Sequence, residues 1–247
     1  MLTKQRQDMI LKLLAERGSV TATEIKDILG ISESTVRRDI TALDKEGKLI
    51  KVFGGAVAAE AEVSTHEYTV EQKSDLNPDE KQKIARYAAS LIKPEDFVYL
   101  DAGTTTAYML DYIKEQNATY VTNAVVHARQ LLSRGMKVLM IGGELKASTE
   151  AAVGSLAVAM LESYHFTKGF FGTNGVNKKC GCTTPDVNEA MVKRTAIERC
   201  KESYVLCDSS KFQHISPVTF ASFDGMIFLT DRAPEGYEGC ENVVVVD

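Results

Sequence analysis

The residues best suited to chemistry in this chain follow an apolar run, "FVYL", in the stretch "DAGTTT". A glycine there allows close backbone approach, and three threonines add hydroxyls and amides where a helix is predicted to begin. Free N–H groups and the helix dipole favour anions at such a position. The turn therefore predicts a phosphate site, although a Gly-Thr turn is also common as a plain strand-to-helix corner. The candidate residues are Asp101, Gly103, Thr104, Thr105 and Thr106.

Turn residues recur at the ends of the following strands. Asn123 ends "YVTN", Gly143 ends "VLMIGG", and Asn174 and Gly175 lie in "FFGTNG". In an open α/β sheet, ligands bind beyond the carboxyl ends of the strands, so these turns are expected to converge on one crevice. Each could also be an ordinary turn, but their recurrence favours a shared site.

Charged residues in two later segments complete the candidate effector site. Glu189 and Lys193 lie in "TTPDVNEAMVKR", and Lys211 lies in "CDSSKF". A lysine would neutralise a phosphate, and a carboxylate would accept sugar hydroxyls. Glu189 and Lys193, four residues apart on a predicted helix, could also imitate the base and polarising group of an isomerase. They could equally form an ordinary surface salt bridge.

Other ligand classes lack their motifs. No G-x-G-x-x-G follows a strand, and no Walker A sequence is present, so a nucleotide site is not expected. Five cysteines, an odd number, favour reduced thiols over a disulfide framework. Cys180 and Cys182 have C-x-C spacing without a partner pair, which does not match the usual zinc ligand sets. We expect no catalytic residue, no metal and no cofactor.

From residue 77 onward, short β-branched runs alternate with helical patterns. Helices are expected at 105–116, 124–134, 153–162 and 187–200, and a helix beginning at Asn77 (N-cap) and Pro78 is expected to run to Pro94. Apolar strands separated by helices indicate an α/β domain with a largely parallel, buried sheet. The strand patterns are "DFVYL", "ATYVT", "KVLMIGG", "HFTKGFFG", "SYVLC", "GMIFLT" and "NVVVVD".

The first 57 residues predict three short helices and a Gly-containing hairpin. Thr21 with Glu24 forms a capping box, and Ser32 is a second N-cap before "ISESTVRRDITAL". On that helix one face is apolar and the other polar and basic, as in the recognition helix of a helix-turn-helix. A protein-binding head is the alternative. The DNA-contact candidates are Ser32, Ser34, Thr35, Arg37, Arg38, Thr41 and Lys51.

Charge is distributed unevenly along the chain. Residues 1–57 contain ten basic and eight acidic residues, whereas the remainder contains 19 and 26, for a net charge of −5 overall. A basic head on an acidic body accompanies nucleic-acid binding, although the excess is small. The longest apolar runs are far shorter than the roughly 20 residues of a membrane span, and the N-terminus has no apolar signal core. We therefore expect a cytoplasmic protein with no membrane partner.

Residues 6–56 resemble the DNA-binding region of the DeoR family of bacterial transcriptional regulators. The match runs through Arg6, Ile10 and Leu14, then "SESTVRRDI" and "LIKVFGGA". Family members usually carry histidine before the Gly-Gly pair, where this chain has Phe53. The resemblance implies a winged helix-turn-helix at 1–57 and an effector-binding domain at 77–247. Residues 58–76 are acidic and polar without steady periodicity, which predicts a linker or a loosely packed connection.

The body resembles the effector domain of the same regulators, a relative of ribose-5-phosphate isomerase and the CoA-transferases. The matching pieces are "DAGTTT", "VTN", "IGGELKASTEAAVGS", "FFGTNGV", "TTPDVNEAMVKR" and "CDSSKF". This resemblance implies a repressor of a sugar-utilisation operon that forms a homo-oligomer, either a dimer or a tetramer. Its affinity for double-stranded operator DNA is expected to respond to a phosphorylated sugar.

Two segments, "STEAAVGS" and "HFTKGFFGTNG", look most like repressors of fructose operons, which makes fructose 1-phosphate the leading effector. Two alternatives remain open. One is an active sugar-phosphate isomerase fused to a DNA-binding domain. The other is an architectural DNA-binding protein whose body only oligomerises and binds no ligand.

Overall fold

The N-terminal part of the chain, here called the head, folds as three helices and a small antiparallel sheet. The computed structural model describes residues 2–52, 54–58 and 69–246. In the head sheet β3 lies between β1 and β2, so β1 and β2 are its edges. The head elements are α1 (Thr3–Arg17), β1 (Ser19–Thr21), α2 (Ala22–Leu29), α3 (Glu33–Lys45), β2 (Leu49–Val52) and β3 (Gly55–Ala58).

Local capping begins two of the head helices. Thr21 Oγ1 accepts a hydrogen bond from Glu24 N at 3.1 Å, and Glu24 Oε2 accepts one from Thr21 N at 2.8 Å. Ser32 Oγ accepts from Thr35 N at 3.3 Å at the start of α3. Gly30, with φ 62°, ends α2 in the left-handed conformation that glycine adopts readily. Both predicted N-caps are confirmed.

A buried ion pair joins the first and third helices of the head. The Arg6 guanidinium donates from Nε to Asp39 Oδ2 at 2.7 Å and from Nη2 to Oδ1 at 3.1 Å. A bidentate contact of this kind fixes the relative orientation of the two side chains as well as their distance. Asp39 follows Arg37 and Arg38 on α3, so the pair holds this part of α3 against α1.

The remainder of the chain, here called the body, is an α/β unit. It begins after a short helix, α4 (Val70–Ser74). The body elements are α5 (Pro78–Ser90), β4 (Phe97–Leu100), α6 (Thr104–Tyr112), β5 (Thr119–Thr122), α7 (Val125–Ser133), β6 (Lys137–Met140), β7 (Glu144–Lys146), β8 (Ala151–Val153), α8 (Ser155–Glu162), β9 (Phe166–Gly172), β10 (Gly175–Asn177), β11 (Gly181–Thr184), α9 (Val187–Glu198), β12 (Cys200–Leu206), a 3-10 turn (Ser209–Lys211), β13 (Val218–Ala221), β14 (Ile227–Thr230) and β15 (Val243–Val245).

The main sheet has seven strands in the order β15-β14-β12-β9-β4-β5-β6, and every neighbouring pair is parallel. Both faces are covered, because Tyr99 belongs to one apolar cluster and its neighbours Val98 and Leu100 to another. This explains why the strands are apolar without alternation. The predicted parallel α/β sheet is confirmed. No helix among the described residues is long and apolar enough to cross a membrane.

The predicted linker at 58–76 contains more structure than its composition suggests. Residues 59–68 lie outside the described part of the chain, but α4 follows and is capped by Thr69. Val70 N donates to Ser148 O at 3.1 Å, which attaches α4 to the body.

Asn77 occupies the predicted N-cap position of α5 but does not cap the helix with its side chain. Its φ is 51°, a left-handed conformation that asparagine tolerates. The amide instead donates from Nδ2 to Asp208 Oδ1 at 3.0 Å. The capping expectation was wrong because a long-range partner takes the side chain, and α5 ends at Ser90, four residues before Pro94.

Candidate functional site

The first candidate site is the polar face of α3 together with β2. Arg37 and Arg38 are exposed, while Val36, Asp39 and Ile40 on the other face are buried. Basic side chains on an exposed helix are what DNA phosphates and guanine edges require. The structure groups the seven predicted DNA-contact residues on this surface: Ser32, Ser34, Thr35, Arg37, Arg38, Thr41 and Lys51.

Hydrogen bonds order this surface before DNA arrives. Arg37 Nη2 donates to Glu33 Oε1 at 2.6 Å in an exposed pair. Thr41 Oγ1 donates to Arg37 O at 2.7 Å, and it accepts from Lys51 Nζ at 3.0 Å. The last contact links β2 to α3. Since exposed ion pairs contribute little to stability, a phosphate can replace Glu33 as the partner of Arg37 at small cost. Phe53, where the family usually has histidine, lies outside the described residues.

The second candidate site is a cleft in the body at the carboxyl ends of β4, β9 and β12. Its walls come from α4, α5, the start of α6 and the cleft side of α9. Within the described residues the lining includes four lysines and two acids, which leaves an excess of positive charge. The lining residues are Val70, Lys73, Lys81, Ala102, Gly103, Thr104, Thr105, Thr149, Gly172, Thr173, Asn174, Glu189, Lys193, Leu206, Cys207, Asp208 and Lys211.

The N-terminus of α6 opens directly into the cleft. Gly103 is its N-cap residue, with extended backbone and no side-chain cap. The first N–H groups of a helix have no partner within the helix, so they are available to an anion in front of it. Thr104 and Thr105 line the cleft at this point. The arrangement suits a phosphate group.

Behind the helix terminus lies a buried pair between Asp101 and Lys193. Lys193 Nζ donates to Asp101 Oδ2 and, at 3.1 Å, to Gly172 O. Asp101 Oδ2 also accepts from Gly172 N at 3.0 Å. Burial raises the pKa of the Asp101 carboxyl, and the Lys193 charge acts against that rise. Asp101 is thus placed to hold Lys193, which lines the cleft, rather than to meet a ligand itself.

Glu189 lies in the cleft wall with its carboxylate already engaged. Its Oε1 accepts from Thr149 Oγ1 at 2.8 Å and faces Lys146 Nζ at 3.4 Å, and Oε2 lies 3.3 Å from Thr184 Oγ1. Burial alone would raise the pKa of Glu189, but the charges of Lys193 and Lys146 lower it. Glu189 and Lys193 are both buried, so the surface salt bridge considered for them is not what forms.

Two lysines of the cleft, Lys73 and Lys81, were missed by the sequence analysis. Lys81 is only 3% exposed, and its Nζ donates to Lys73 O at the end of α4. Burial and the neighbouring charge of Lys211 lower the pKa of Lys81 to about 8, while Asp208 raises it. Little in the sequence marks these two lysines as cleft residues, because Lys73 lies in the predicted linker and Lys81 is one of several charged residues in "DEKQK".

Besides Asp101, four predicted effector contacts lie outside the main cleft lining: Thr106, Asn123, Gly143 and Gly175. Thr106 Oγ1 is turned inward and donates to Asp101 O at 2.7 Å. Asn123 borders a smaller cavity behind the cleft, where Oδ1 accepts from Ala102 N at 3.1 Å.

The two glycines among them serve backbone packing. A Cβ on Gly143, at φ 154°, would lie 2.6 Å from Val153 O. A Cβ on Gly175 would lie 2.3 Å from His214 O. At both positions a side chain would collide with a backbone carbonyl, so glycine is required. Neither glycine lines the cleft.

The cysteines form no evident metal centre. Cys180, Cys182, Cys200, Cys207 and Cys240 are all free thiols. Over the described residues, no group of three or more His, Cys, Asp or Glu side chains is arranged to hold a metal ion.

Comparison with known proteins identifies both halves of the chain. Residues 6–62 match the model of the DeoR-like helix-turn-helix domain, and residues 76–232 match the model of the DeoR C terminal sensor domain. The uncharacterized HTH-type transcriptional regulator FruR of Bacillus subtilis (strain 168) is 38% identical over 248 residues, covering 100% of this chain and 98% of the relative.

A second relative is the lactose phosphotransferase system repressor of Staphylococcus aureus (strain N315). It is 35% identical over 245 residues, covering 98% of this chain and 95% of the relative. Among solved structures, ribose 5-phosphate isomerase A of Methanocaldococcus jannaschii is similar at 16% identity over 55% of each chain, with a TM-score of 0.40. With the helix-turn-helix face in the head, the cleft in the body and both domain models matched, the chain belongs to the DeoR family of DNA-binding transcriptional regulators.

Proposed function

We propose that this regulator represses a sugar-utilisation operon and that a phosphorylated sugar bound in the body cleft controls its affinity for the operator. The observation that carries the proposal is the uncapped N-terminus of α6 facing a cleft with four lysines. A helix terminus and lysines together favour a dianionic group. The buried Glu189 carboxylate and the half-buried Asn174 amide lie beside them, and they can accept hydrogen bonds from sugar hydroxyls or donate to them.

Fructose 1-phosphate is the leading effector within this proposal. It rests on the resemblance of "STEAAVGS" and "HFTKGFFGTNG" to repressors of fructose operons. The first of these segments lies at the cleft, since Thr149 lines it, and the second ends at Gly172, Thr173 and Asn174, which also line it.

Gel-shift titration tests the proposal directly. The protein is titrated on the DNA fragment upstream of its own gene, with and without fructose 1-phosphate, fructose 6-phosphate, glucose 6-phosphate or inorganic phosphate. A sensor with an ordinary coupling free energy changes operator affinity by about 5- to 150-fold. If no sugar phosphate changes the affinity, the sensing model fails. A response to another sugar phosphate alone would reject fructose 1-phosphate and keep the sensor.

The isomerase alternative is disfavoured by the state of Glu189. An aldose-ketose isomerase needs a carboxylate free to take a proton from carbon. The Glu189 oxygens are held by Thr149, Thr184 and Lys146, and its pKa is lowered. Incubation of the protein with pentose and hexose phosphates is expected to produce no aldose-ketose conversion, and conversion would reinstate the enzyme.

The architectural alternative predicts no ligand at all. A protein that binds a ligand only when folded unfolds at higher temperature in its presence. We expect a thermal shift with a sugar phosphate, and its absence across the panel would favour the architectural role.

A further inference from the structure

A β-hairpin of the body reaches from the effector cleft to the DNA-binding head. It consists of β10, β11 and the turn between them, residues 175–184. At its open end, Thr173 and Asn174 line the cleft. At its closed end, Lys179 Nζ donates to Ser19 O of the head at 3.2 Å. One short, hydrogen-bonded hairpin therefore connects the effector cleft with the DNA-binding head, the two sites that a ligand-controlled regulator has to couple.

The cleft end of the hairpin is tied to the side chains that face the ligand. Asn174 N donates to Thr183 O at 3.1 Å, and Thr184 Oγ1 lies 3.3 Å from Asn174 Oδ1. The same hydroxyl lies 3.3 Å from Glu189 Oε2. A ligand that reorients Asn174 or Glu189 must therefore act on β11.

The head end of the hairpin is held in a defined conformation. Asn177 Oδ1 accepts from Lys179 N at 2.9 Å and from Cys180 N at 3.2 Å, which orders the turn. Cys180 lies against Ser19, and burial raises the pKa of its thiol. Lys179 also lies near Glu24 of α2. The hydrogen bond from the Thr21 N–H lowers the pKa of Glu24, and the Lys179 charge adds to this effect. The hairpin thus meets the head at β1 and beside α2.

A second connection runs through α9 and supports the first. Glu189 and Lys193 face the cleft, while the next residue, Arg194, borders a cavity of about 220 Å³ between head and body. Arg194 Nη2 donates to Thr219 O at 2.7 Å, and Thr219 Oγ1 donates to Cys180 O at 2.9 Å. These two hydrogen bonds link the hairpin, β13 and α9 to one another.

On the head side, the same cavity is lined by β1 and by the hairpin that β2 and β3 form. Ser19, Val20 and Thr21 of β1 line it together with Gly54 and Gly55, and β1 is an edge strand of the head sheet. β1 leads directly into α2, because Thr21, its last residue, is the N-cap of that helix. The recognition helix α3 follows α2 directly. A continuous path of contacts therefore leads from the hairpin tip through β1 and α2 to α3.

We propose that the contact of residues 178–180 with β1 couples occupancy of the cleft to the orientation of the head. The inference rests on the proposed function, because it requires that a sugar phosphate bind in the cleft. Occupied and empty clefts hold the hairpin differently, and the head docks on it differently in each state. A ligand shifts such an equilibrium only through contacts that differ between the two states. Asn174, Thr184 and Glu189 supply those contacts.

Removal of the head contact tests the coupling. In Lys179→Ala, the sugar phosphate that shifts the wild type binds with unchanged affinity, as measured by calorimetry, and the free protein still binds the operator. The ratio of operator affinities with and without the sugar phosphate, tried first with fructose 1-phosphate, falls by about 2- to 12-fold, the effect of one lost hydrogen bond.

Lys178→Ala is the matched control. It makes the same charge change one residue earlier, but Lys178 lies over the Tyr237 ring of the body, 5.2 Å from its centroid. We expect its operator ratio to equal that of the wild type. Equal ratios in wild type, Lys179→Ala and Lys178→Ala would overturn the coupling proposal, and so would a loss common to both variants.

A reversible disulfide between β1 and the hairpin gives an independent test, because it does not depend on a truncated side chain. The oxidised protein is called locked. Ser19→Cys places a second thiol beside Cys180, and diamide oxidises the two thiols to a disulfide as it is reduced to the hydrazide. In the locked protein the sugar phosphate still binds but no longer changes operator affinity, and dithiothreitol restores the response. Failure of the disulfide to form would contradict the contact, and a full response in the locked protein would overturn the coupling.

The outcomes separate the two proposals. If the wild type itself responds to no sugar phosphate, the proposed sensor function fails. If the wild type responds and both Lys179→Ala and locked Ser19→Cys respond equally, the sensor stands and the coupling through the hairpin fails.

Discussion

The head and the body each present basic residues for an anion, but they do so in opposite ways. The Arg37 side chain in the head is 72% exposed, whereas the Lys193 side chain in the body is 7% exposed. Arg37 is held by an exposed carboxylate on its own helix, and Lys193 by the buried Asp101. One site is a charged surface and the other is a preformed pocket.

The difference fits the two kinds of anion that the proposed function requires, operator DNA and a phosphorylated sugar. DNA is a long polyanion whose binding releases counterions, so exposed and adaptable side chains suffice and affinity depends on salt. A small phosphorylated molecule offers one phosphate, and the protein must surround it to gain comparable affinity and selectivity. Burial strengthens each contact in the cleft and makes loss of one partner costly.

The largest effect is expected in the body, on stability. Lys193→Met leaves Asp101 buried without its cation, and the free energy of unfolding of the body is expected to fall by about 3–5 kcal/mol. Urea denaturation followed by circular dichroism measures it. The double variant Asp101→Asn/Lys193→Met removes both charges and should recover much of the loss. A loss below about 1 kcal/mol for Lys193→Met would show that the pair is not desolvated as described.

In the head, removal of a basic side chain is expected to weaken DNA binding and to leave the free energy of unfolding almost unchanged. Arg37→Ala is expected to weaken operator binding by about 1–3 kcal/mol, the range for losing an arginine contact with a phosphate or a base edge. Its free energy of unfolding should change by less than about 0.5 kcal/mol, since the side chain is exposed. Gel shifts at one fixed salt concentration measure the affinity, and Lys83→Ala, an exposed lysine of the body, is the charge-matched control. Full affinity in Arg37→Ala would remove this residue from the recognition face.

A smaller effect is expected from one hydroxyl of the cleft. Thr105→Val keeps the shape of the α6 start but removes a hydrogen-bond donor to the phosphate, and sugar-phosphate affinity should fall by about fivefold, or roughly 1 kcal/mol. Calorimetry measures the affinity, and operator binding of the free protein should not change. Unchanged ligand affinity would mean that the backbone N–H groups alone hold the phosphate.

The smallest expected effect is a dependence on pH between 7 and 9. Lys81 has a pKa of about 8, so it is protonated at pH 7 and mostly neutral at pH 9, whereas a phosphate ester is already dianionic above pH 7. Anion affinity should therefore fall with rising pH, by less than the roughly fivefold loss expected in Thr105→Val. Lys81→Met should bind more weakly at pH 7 and lose the slope. A wild-type affinity that is flat over this range would exclude Lys81 as a ligand group, and DNA binding of the free protein should show no matching step.

Much of the fold was predictable because its signals are local. Thr21 with Glu24 and Ser32 with Thr35 act within three residues, and the alternation of apolar runs with helical patterns indicated the parallel sheet. Asn77 carries an equally good local signal, yet its side chain binds Asp208, 131 residues later in the chain. A capping preference of about 1 kcal/mol yields readily to such a tertiary contact.

The cleft was predictable in its position but not in its full set of residues. Gly103, Thr104 and Thr105 could be located from the strand-to-helix turn, since that geometry follows from the fold. The inward rotation of Thr106 depends on where the carbonyl of Asp101 points, and no spacing rule gives it. Lys73 could not be recognised, because a five-residue helix in a polar segment has little periodicity.

The attachment of α4 to the body has a consequence for how far the head can travel. The last described head residue, Ala58, and the cap of α4, Thr69, are eleven residues apart, so the chain between them spans at most about 40 Å. Two surfaces joined by so short a tether meet at an effective concentration on the order of millimolar. Under the proposed coupling, a head displaced from the hairpin rebinds within the same molecule, so an interface too weak to join separate molecules is sufficient to restore the docked state.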